Sequence, residues 1–171
     1  MVDLKSQYQR IKLQIDQAIQ ACLDETSFIK GSQVFDFQKK LANYLNSNYV
    51  VACGNGTDAL QLAMMALGLK PGDEVIVPAF TYIATVEVIA LLGLTPVIVD
   101  VDYNTFNLTH QLIEPAISSK TRLIVPVHLF GQCSDMENIM NLASKNNLFV
   151  VEDTAQALGA DFKFTDGTIK K

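Results

Sequence analysis

Short apolar runs that do not alternate with polar residues are the strongest constraint on this chain. Residues 74–77, 96–99, 123–127 and 148–151, preceded by 49–53, are rich in Val, Ile and Leu. A strand with one wet face alternates apolar and polar positions, whereas a continuous run reads as a strand covered on both faces. Helical patterns separate the runs, over 58–67, 81–92, 109–117 and 135–146. Repetition of strand and helix in this order calls for parallel pairing through right-handed crossovers. Turn chemistry agrees: Lys70-Pro71-Gly72-Asp73 punctuates one helix-to-strand passage, and Gly93 with Pro96 the next. The expected fold is α/β, a mostly parallel sheet with helices on both faces.

The beginning of the chain follows a different rule. Leu4, Ile11, Ile15, Ala18 and Ile19 recur at helical spacing among Lys and Gln, the pattern of an amphipathic helix that needs a partner surface. A second helix, about 34–45, follows the Phe28-Ile29-Lys30-Gly31 turn, with Ser32 as its N-cap. The expected division is a helical segment, 1–46, and an α/β domain, 47–171. Several function classes are set aside by composition. Net charge is −5, with no basic run beyond Lys39-Lys40 and Lys170-Lys171, so no nucleic-acid partner is expected. The most apolar stretch, 86–99, holds Glu87 and Pro96 and is too short to span a bilayer, so no membrane partner is expected. Three dispersed cysteines, Cys22, Cys53 and Cys133, without a CxxC pattern, read as reduced thiols in a cytoplasmic protein.

In a parallel sheet, ligands bind beyond the carboxyl ends of the strands. The residues that follow each run are therefore the candidates. The first run delivers Gly54-Asn55-Gly56-Thr57-Asp58, the second Pro78-Ala79-Phe80-Thr81-Tyr82 and the third Asp100 with Asp102. The fourth delivers His128 and Gly131, and the fifth Glu152, Asp153 and Gln156. Glycines at a helix start expose free N–H groups at the positive end of the helix dipole, about half a charge, which suits a phosphate. The same segment also reads as an ordinary turn capped by Thr57 or Asp58. Asp153 leaves a buried strand at a low-dielectric rim. It reads either as a cap or salt-bridge partner, or as the counter-charge of a cationic ring nitrogen. At ~4 Å and an effective dielectric of ~20 that attraction is about 4 kcal/mol before desolvation. Gln156 stands one helical turn on, placed to donate to a ring oxygen or to lie against the ring. Tyr82 reads as a stacking aromatic or as a half-buried core residue. His128 reads as a general base or as the residue that orders the loop at Gly131, and Asp100 with Asp102 as a strand-exit turn. His110 is the only other histidine, so no metal site is expected.

Five motifs, taken together and in order, resemble one family. They are Gly54-Asn55-Gly56-Thr57-Asp58-Ala59-Leu60, Pro71-Gly72-Asp73-Glu74-Val75, Phe80-Thr81-Tyr82-Ile83-Ala84-Thr85, Val127-His128-Leu129-Phe130-Gly131-Gln132 and Glu152-Asp153-Thr154-Ala155-Gln156. The chain resembles the N-terminal part of the DegT-type sugar aminotransferases, fold type I enzymes that use pyridoxal 5′-phosphate, from Val2-Asp3-Leu4 to about Ala160. The resemblance implies that the amides of Gly56 and Thr57 and the Thr57 side chain hold the cofactor phosphate, with Asp58 counted in the same turn. It implies that Tyr82 stacks on the ring, that Asp153 keeps the pyridine nitrogen protonated, and that Gln156 packs near the ring and its phenolic oxygen. The activity implied is transfer of an amino group from glutamate to a nucleotide-linked keto sugar for cell-surface polysaccharide synthesis, in a homodimer. The branch that aminates 3-keto, N-acetylated UDP-sugar acids is the nearest.

The family's Schiff-base lysine lies in a Ser-Phe-rich motif downstream of the Glu-Asp pair, and this sequence ends before it. Lys163, Lys170 and Lys171 stand outside that motif. No catalytic residue is therefore assigned. The expectation is a partial cofactor-binding domain, truncated before the lysine region and unable to transaminate alone. Alternative readings are a dehydratase of the same fold with the lysine replaced, a non-catalytic nucleotide or phosphate binder, and a truncated chain that folds with exposed apolar faces. The binder reading lacks a GxGxxG spacing.

Overall fold

The structure, a computed structural model, describes residues 2–171. They form two compact units, 2–52 and 53–171. In the first unit, helix α1 (Leu4–Asp24) is capped by Asp3, whose side chain accepts from the Ser6 N–H at 3.0 Å. Helix α2 (Ser32–Leu45) follows, and neither helix contains a buried residue. Ser32 is the first helical residue rather than the cap. Gly31 occupies the cap position in an extended conformation, with no side-chain bond, so the first N–H groups of α2 go without a side-chain acceptor.

The second unit carries α3 (Gly56–Ala66), β1 (Glu74–Pro78), α4 (Ala84–Leu91), β2 (Thr95–Val99), the short α5 (His110–Ile113), β3 (Thr121–Ile124), α6 (Met136–Lys145) and β4 (Phe149–Val150). A small hairpin, β5 (Phe162–Lys163) with β6 (Ile169–Lys170), follows. The four main strands are all parallel, in the order β2-β1-β3-β4. The strand period of two divides the core between two faces. Val75, Val77, Leu123 and Val125 point to one face and pack with Leu60 and Met64 of α3 and Val88 and Ile89 of α4. Ile76 and Ile124 point to the other and pack with Ile113 of α5 and Ile139, Leu142 and Ala143 of α6. Burial on both faces is why these runs do not alternate.

Two expectations are corrected. Residues 49–53 do not form a strand. The Ala52 N–H donates to the Gln38 side chain at 2.8 Å rather than to a ladder, and Tyr49 is 86% exposed. Apolar content is not enough without a pairing partner, and that segment has none among the described residues. The expected helix over 109–117 is a single α-turn followed by a 3₁₀ turn, Glu114–Ala116. Pro115 removes the N–H that would continue the α ladder. Pro96, which also lacks a donor, is accommodated because β2 pairs only with β1.

This topology places the candidate site. From β1 the chain reaches β2 by way of α4 on one face. It then crosses to β3 and β4 by way of α5 and α6 on the other. The order reverses between β1 and β3, and the crevice of such a sheet opens at their carboxyl ends. Helix α3, of 11 residues, is about 16 Å long at ~1.5 Å per residue. It lies on the sheet and feeds the start of β1, so its N-terminus sits at the same carboxyl edge.

Candidate functional site

At the start of α3 the sequence folds as it does because Asn55 and Asp58 close on each other. Asn55 is extended (φ −164, ψ 177), and its side-chain oxygen accepts from the Asp58 N–H at 2.9 Å. Its amide nitrogen donates to Asp58 Oδ2 at 3.0 Å. Neither Thr57 nor Asp58 is the cap. A Cβ on Gly54 would lie 2.7 Å from that same carboxylate oxygen, so a side chain there would push the Asp58 carboxylate off its bond to Asn55. The N–H groups of Gly56 and Thr57 have no partner among the described residues, and the space around Gly56 is open. These two amides are the unspent donors at the positive end of the dipole. Asp58 is different. Its N–H is spent on Asn55 and its Oδ2 takes the Asn55 amide, so it holds the turn in place and offers no donor of its own.

Asp153 lies at the same edge, beyond β4. Its backbone bridges in parallel to Val127: His128 N–H donates to the Asp153 carbonyl at 3.0 Å, and Asp153 N–H to the Pro126 carbonyl at 2.9 Å. Its side chain is half-buried and accepts on both oxygens. Oδ2 takes the Thr85 hydroxyl at 3.2 Å, and Oδ1 takes the Ala155 N–H at 3.1 Å. Each oxygen keeps a second lone-pair site free for a ligand donor. Asp153 is neither a helix cap nor, among the described residues, half of a salt bridge: the residues after it form turns, and the ion pairs there involve other carboxylates.

Gln156 is exposed, and its side-chain oxygen accepts from the Phe130 N–H at 3.0 Å. That bond fixes the amide so that its NH₂ group is the end left to donate. Tyr82, four residues past the end of β1, is 74% exposed and is not a core aromatic. Three further rings stand along the edge: Phe106 lies 5.4 Å from Phe80 and 6.3 Å from Phe130, centroid to centroid. Phe106 and Phe130 both have left-handed backbones (φ 59 and 57), a conformation that costs an L-residue about 1–2 kcal/mol. Asn107, 2% exposed, holds both loops in place. It donates to the Gln132 carbonyl at 2.9 Å and accepts from the Leu129 N–H at 3.0 Å.

His128 orders the loop at Gly131. It is 2% exposed, Ser134 N–H donates to its Nδ1 at 3.1 Å, and its Nε2 therefore carries the proton that it donates to Glu152 at 2.9 Å. With both nitrogens occupied it is not placed as a general base. Asp102 builds the strand-exit turn anticipated for it. It accepts from the N–H groups of Asn104 and Thr105, and the Thr105 contacts above all hold its carboxyl below the ordinary range. Burial, and then the charges of Glu152 and Asp161, push the Cys133 thiol up. A cavity of about 210 Å³ touches Asn107, Cys133, Ser134 and Asp135 but none of the anticipated site residues. Asn107 is fully paired there, and Asp135 is bonded to His110 at 2.7 Å, so its polar lining is spent on holding loops. Among the described residues no His, Cys, Asp or Glu cluster is arranged to hold a metal ion, and no helix is long and apolar enough to cross a membrane.

The fold brings Gly56, Thr57, Tyr82, Asp153 and Gln156, the residues anticipated from the sequence, to one sheet edge. Reading the sequence missed Thr85, Asn107 and Asn55. Of these only Asn55 carries a local signal, an Asn three residues ahead of Asp at a helix start.

Residues 9–166 match the DegT/DnrJ/EryC1/StrS aminotransferase family. A UDP-2-acetamido-2-deoxy-3-oxo-D-glucuronate aminotransferase of Pseudomonas aeruginosa is 50% identical over 162 residues, 95% of this chain and 45% of that protein. The crystal structure of S. venezuelae DesV in complex with a ketimine intermediate superposes with a TM-score of 0.89 at 41% identity, over 92% of this chain and 42% of that one. An E. coli GDP-4-keto-6-deoxy-D-mannose-3-dehydratase with bound hydrated PLP superposes at 0.80 and 29% identity, over 87% of this chain and 40% of that one. The chain thus spans less than half the length of these relatives. It belongs to the DegT/DnrJ/EryC1/StrS aminotransferase family.

Proposed function

We propose that this chain is the cofactor-holding part of a pyridoxal 5′-phosphate-dependent enzyme that moves an amino group from glutamate to a nucleotide-linked keto sugar. The observation that carries the reading is one sheet edge with two unspent amides at a helix start and a carboxylate whose two oxygens are already aimed by donors. When bound, the cofactor supplies an electron sink for breaking and making bonds at the amino-bearing carbon. The chain's own residues do the holding. The N–H groups of Gly56 and Thr57, with the Thr57 hydroxyl, take the phosphate. Asp153 faces the ring nitrogen and holds a proton on it, because a nearby anion favours the cationic form. The NH₂ of Gln156 is placed to donate to the phenolic oxygen, and Tyr82 supplies an exposed ring for stacking. The 3-oxo, 2-acetamido UDP-sugar acid in the name of the Pseudomonas aeruginosa relative supports a 3-keto, N-acetylated UDP-sugar acid as acceptor. Polysaccharide synthesis in the cytoplasm by a homodimer is the setting this reading implies. The similarity to a dehydratase keeps dehydration as a second reading within the same fold.

Equilibrium titration of the chain with pyridoxal 5′-phosphate, followed by absorbance, tests the reading. Saturable binding that is weakened in Asp153→Ala supports it. Equal affinity in the variant and the unmodified chain removes Asp153 as the ring partner and the reading with it.

A further inference from the structure

Thr85 is buried to 1% exposure in the first turn of α4, on a different element from every residue anticipated for the site. A threonine in a helix commonly turns its hydroxyl back to the carbonyl one turn earlier. Here the hydroxyl leaves its own helix and donates to Asp153 Oδ2 at 3.2 Å, across 68 residues of sequence. The backbone around Asp153 does not depend on that bond. It is held by the parallel bridge to Val127 and by the backbone bonds to Pro126 and His128, and the Glu152 side chain is held separately by His128 Nε2. What the Thr85 hydroxyl adds is the direction of the Asp153 side chain. Paired with the Ala155 N–H on Oδ1, it fixes the carboxylate at both oxygens. The first turn of α4 also brings the positive end of a helix dipole toward that anion.

We propose that Thr85 is a positioning residue whose hydroxyl sets the rotamer of Asp153 and so aims its free lone pairs at the ligand. The proposal rests on the reading of Asp153 as the partner of a protonated ring. Its test uses the 171-residue chain and separates the two. Three-bond couplings from the backbone nitrogen and carbonyl carbon to Asp153 Cγ, measured by NMR without ligand, report the rotamer directly. One fixed rotamer is expected in the unmodified chain and in Thr85→Ser. Averaged couplings are expected in Thr85→Val, which keeps the buried volume and loses only the donor. Pyridoxal 5′-phosphate affinity then falls roughly three- to tenfold in Thr85→Val, the scale of one hydrogen bond, and returns in Thr85→Ser. Wild-type couplings in Thr85→Val overturn the proposal, and so do averaged couplings in the unmodified chain, which need no variant. If Asp153→Ala binds the cofactor as tightly as the unmodified chain, the reading of the site fails while the couplings still judge Thr85.

Discussion

Gly56→Pro separates the backbone donor at the start of α3 from the fold that presents it. Gly56 is the first residue of the helix, where proline is well tolerated because the N–H it lacks has no helical acceptor. The preceding Asn55 is extended, the conformation that a following proline demands. The space at Gly56 is open, with no atom within 4 Å of where a Cβ would stand. The substitution therefore removes one of two free amides and little else. A hydrogen bond to a charged group contributes about 1.5–3 kcal/mol, so pyridoxal 5′-phosphate affinity should fall roughly 10- to 150-fold. Thermal stability should hold or rise by about 0.4–1 kcal/mol, because the unfolded chain loses freedom. Gly56→Ala keeps the N–H and is the matched control. Calorimetric titration gives the affinities and a thermal melt gives the stabilities. A Gly56→Pro chain that melts normally and binds as tightly as Gly56→Ala would show that the phosphate does not sit on this amide, and the α3 half of the site would be wrong.

Two further outcomes follow from the loops of the same edge. Asn107→Leu strands the buried Leu129 N–H and the Gln132 carbonyl, at a cost of about 2 kcal/mol, or ~4–8 °C in melting temperature, readable by thermal or urea unfolding. The Asp102 carboxyl is held below its ordinary value by Thr105 and Asn104, so its bonds stabilise the loop above the unfolded value, about 4, and are lost only as pH falls through the lower folded value. Amide resonances of Asn104 and Thr105 should stay in place through pH ~4 and move below it, and a transition centred above pH ~4 would contradict the loop geometry.

The sheet was legible because burial on both faces writes itself as unbroken apolar runs, and the helices because their period is regular. What was not legible depended on partners or on backbone conformations that composition does not announce. Residues 49–53 have the right side chains for a strand and no neighbour to pair with. Phe106 and Phe130 sit in left-handed backbone where a glycine or asparagine would have given notice. Thr85 reaches Asp153 only because two distant elements end at the same edge. Gly56, Thr57, Asp153 and Gln156 were readable for the opposite reason. Asp153 and Gln156 follow the run that becomes β4, at the carboxyl edge where such residues collect, and Gly56 and Thr57 announce themselves as a glycine turn at a helix start, although the run before them is not a strand.

The charge of that edge narrows what it can hold. The sequence has no lysine or arginine between Lys40 and Lys70, between Lys70 and Lys120, or between Arg122 and Lys145. The segments leaving β1, β2 and β3 and the start of α3 therefore carry no lysine or arginine, while carboxylates stand at Asp58, Asp100, Asp102, Glu152 and Asp153. A phosphate approaching this edge meets no lysine or arginine there, and it finds donors in the free amides of Gly56 and Thr57, where the turn itself keeps Asp58 Oδ2 bonded to Asn55. A ring with a protonated nitrogen meets attraction, strongest at Asp153. A ligand that is anionic at one end and cationic at the other is thus oriented by the edge before any contact forms. A nucleotide phosphate carries the same anion on a neutral base. Such a base can offer the Asp153 carboxylate a hydrogen bond but no charge, so removing that carboxylate would cost a nucleotide less than it costs a protonated ring. The size of the Asp153→Ala loss, measured with each ligand in turn, therefore distinguishes a cofactor socket, which loses more with pyridoxal 5′-phosphate, from a simple phosphate seat, which loses equally little with both.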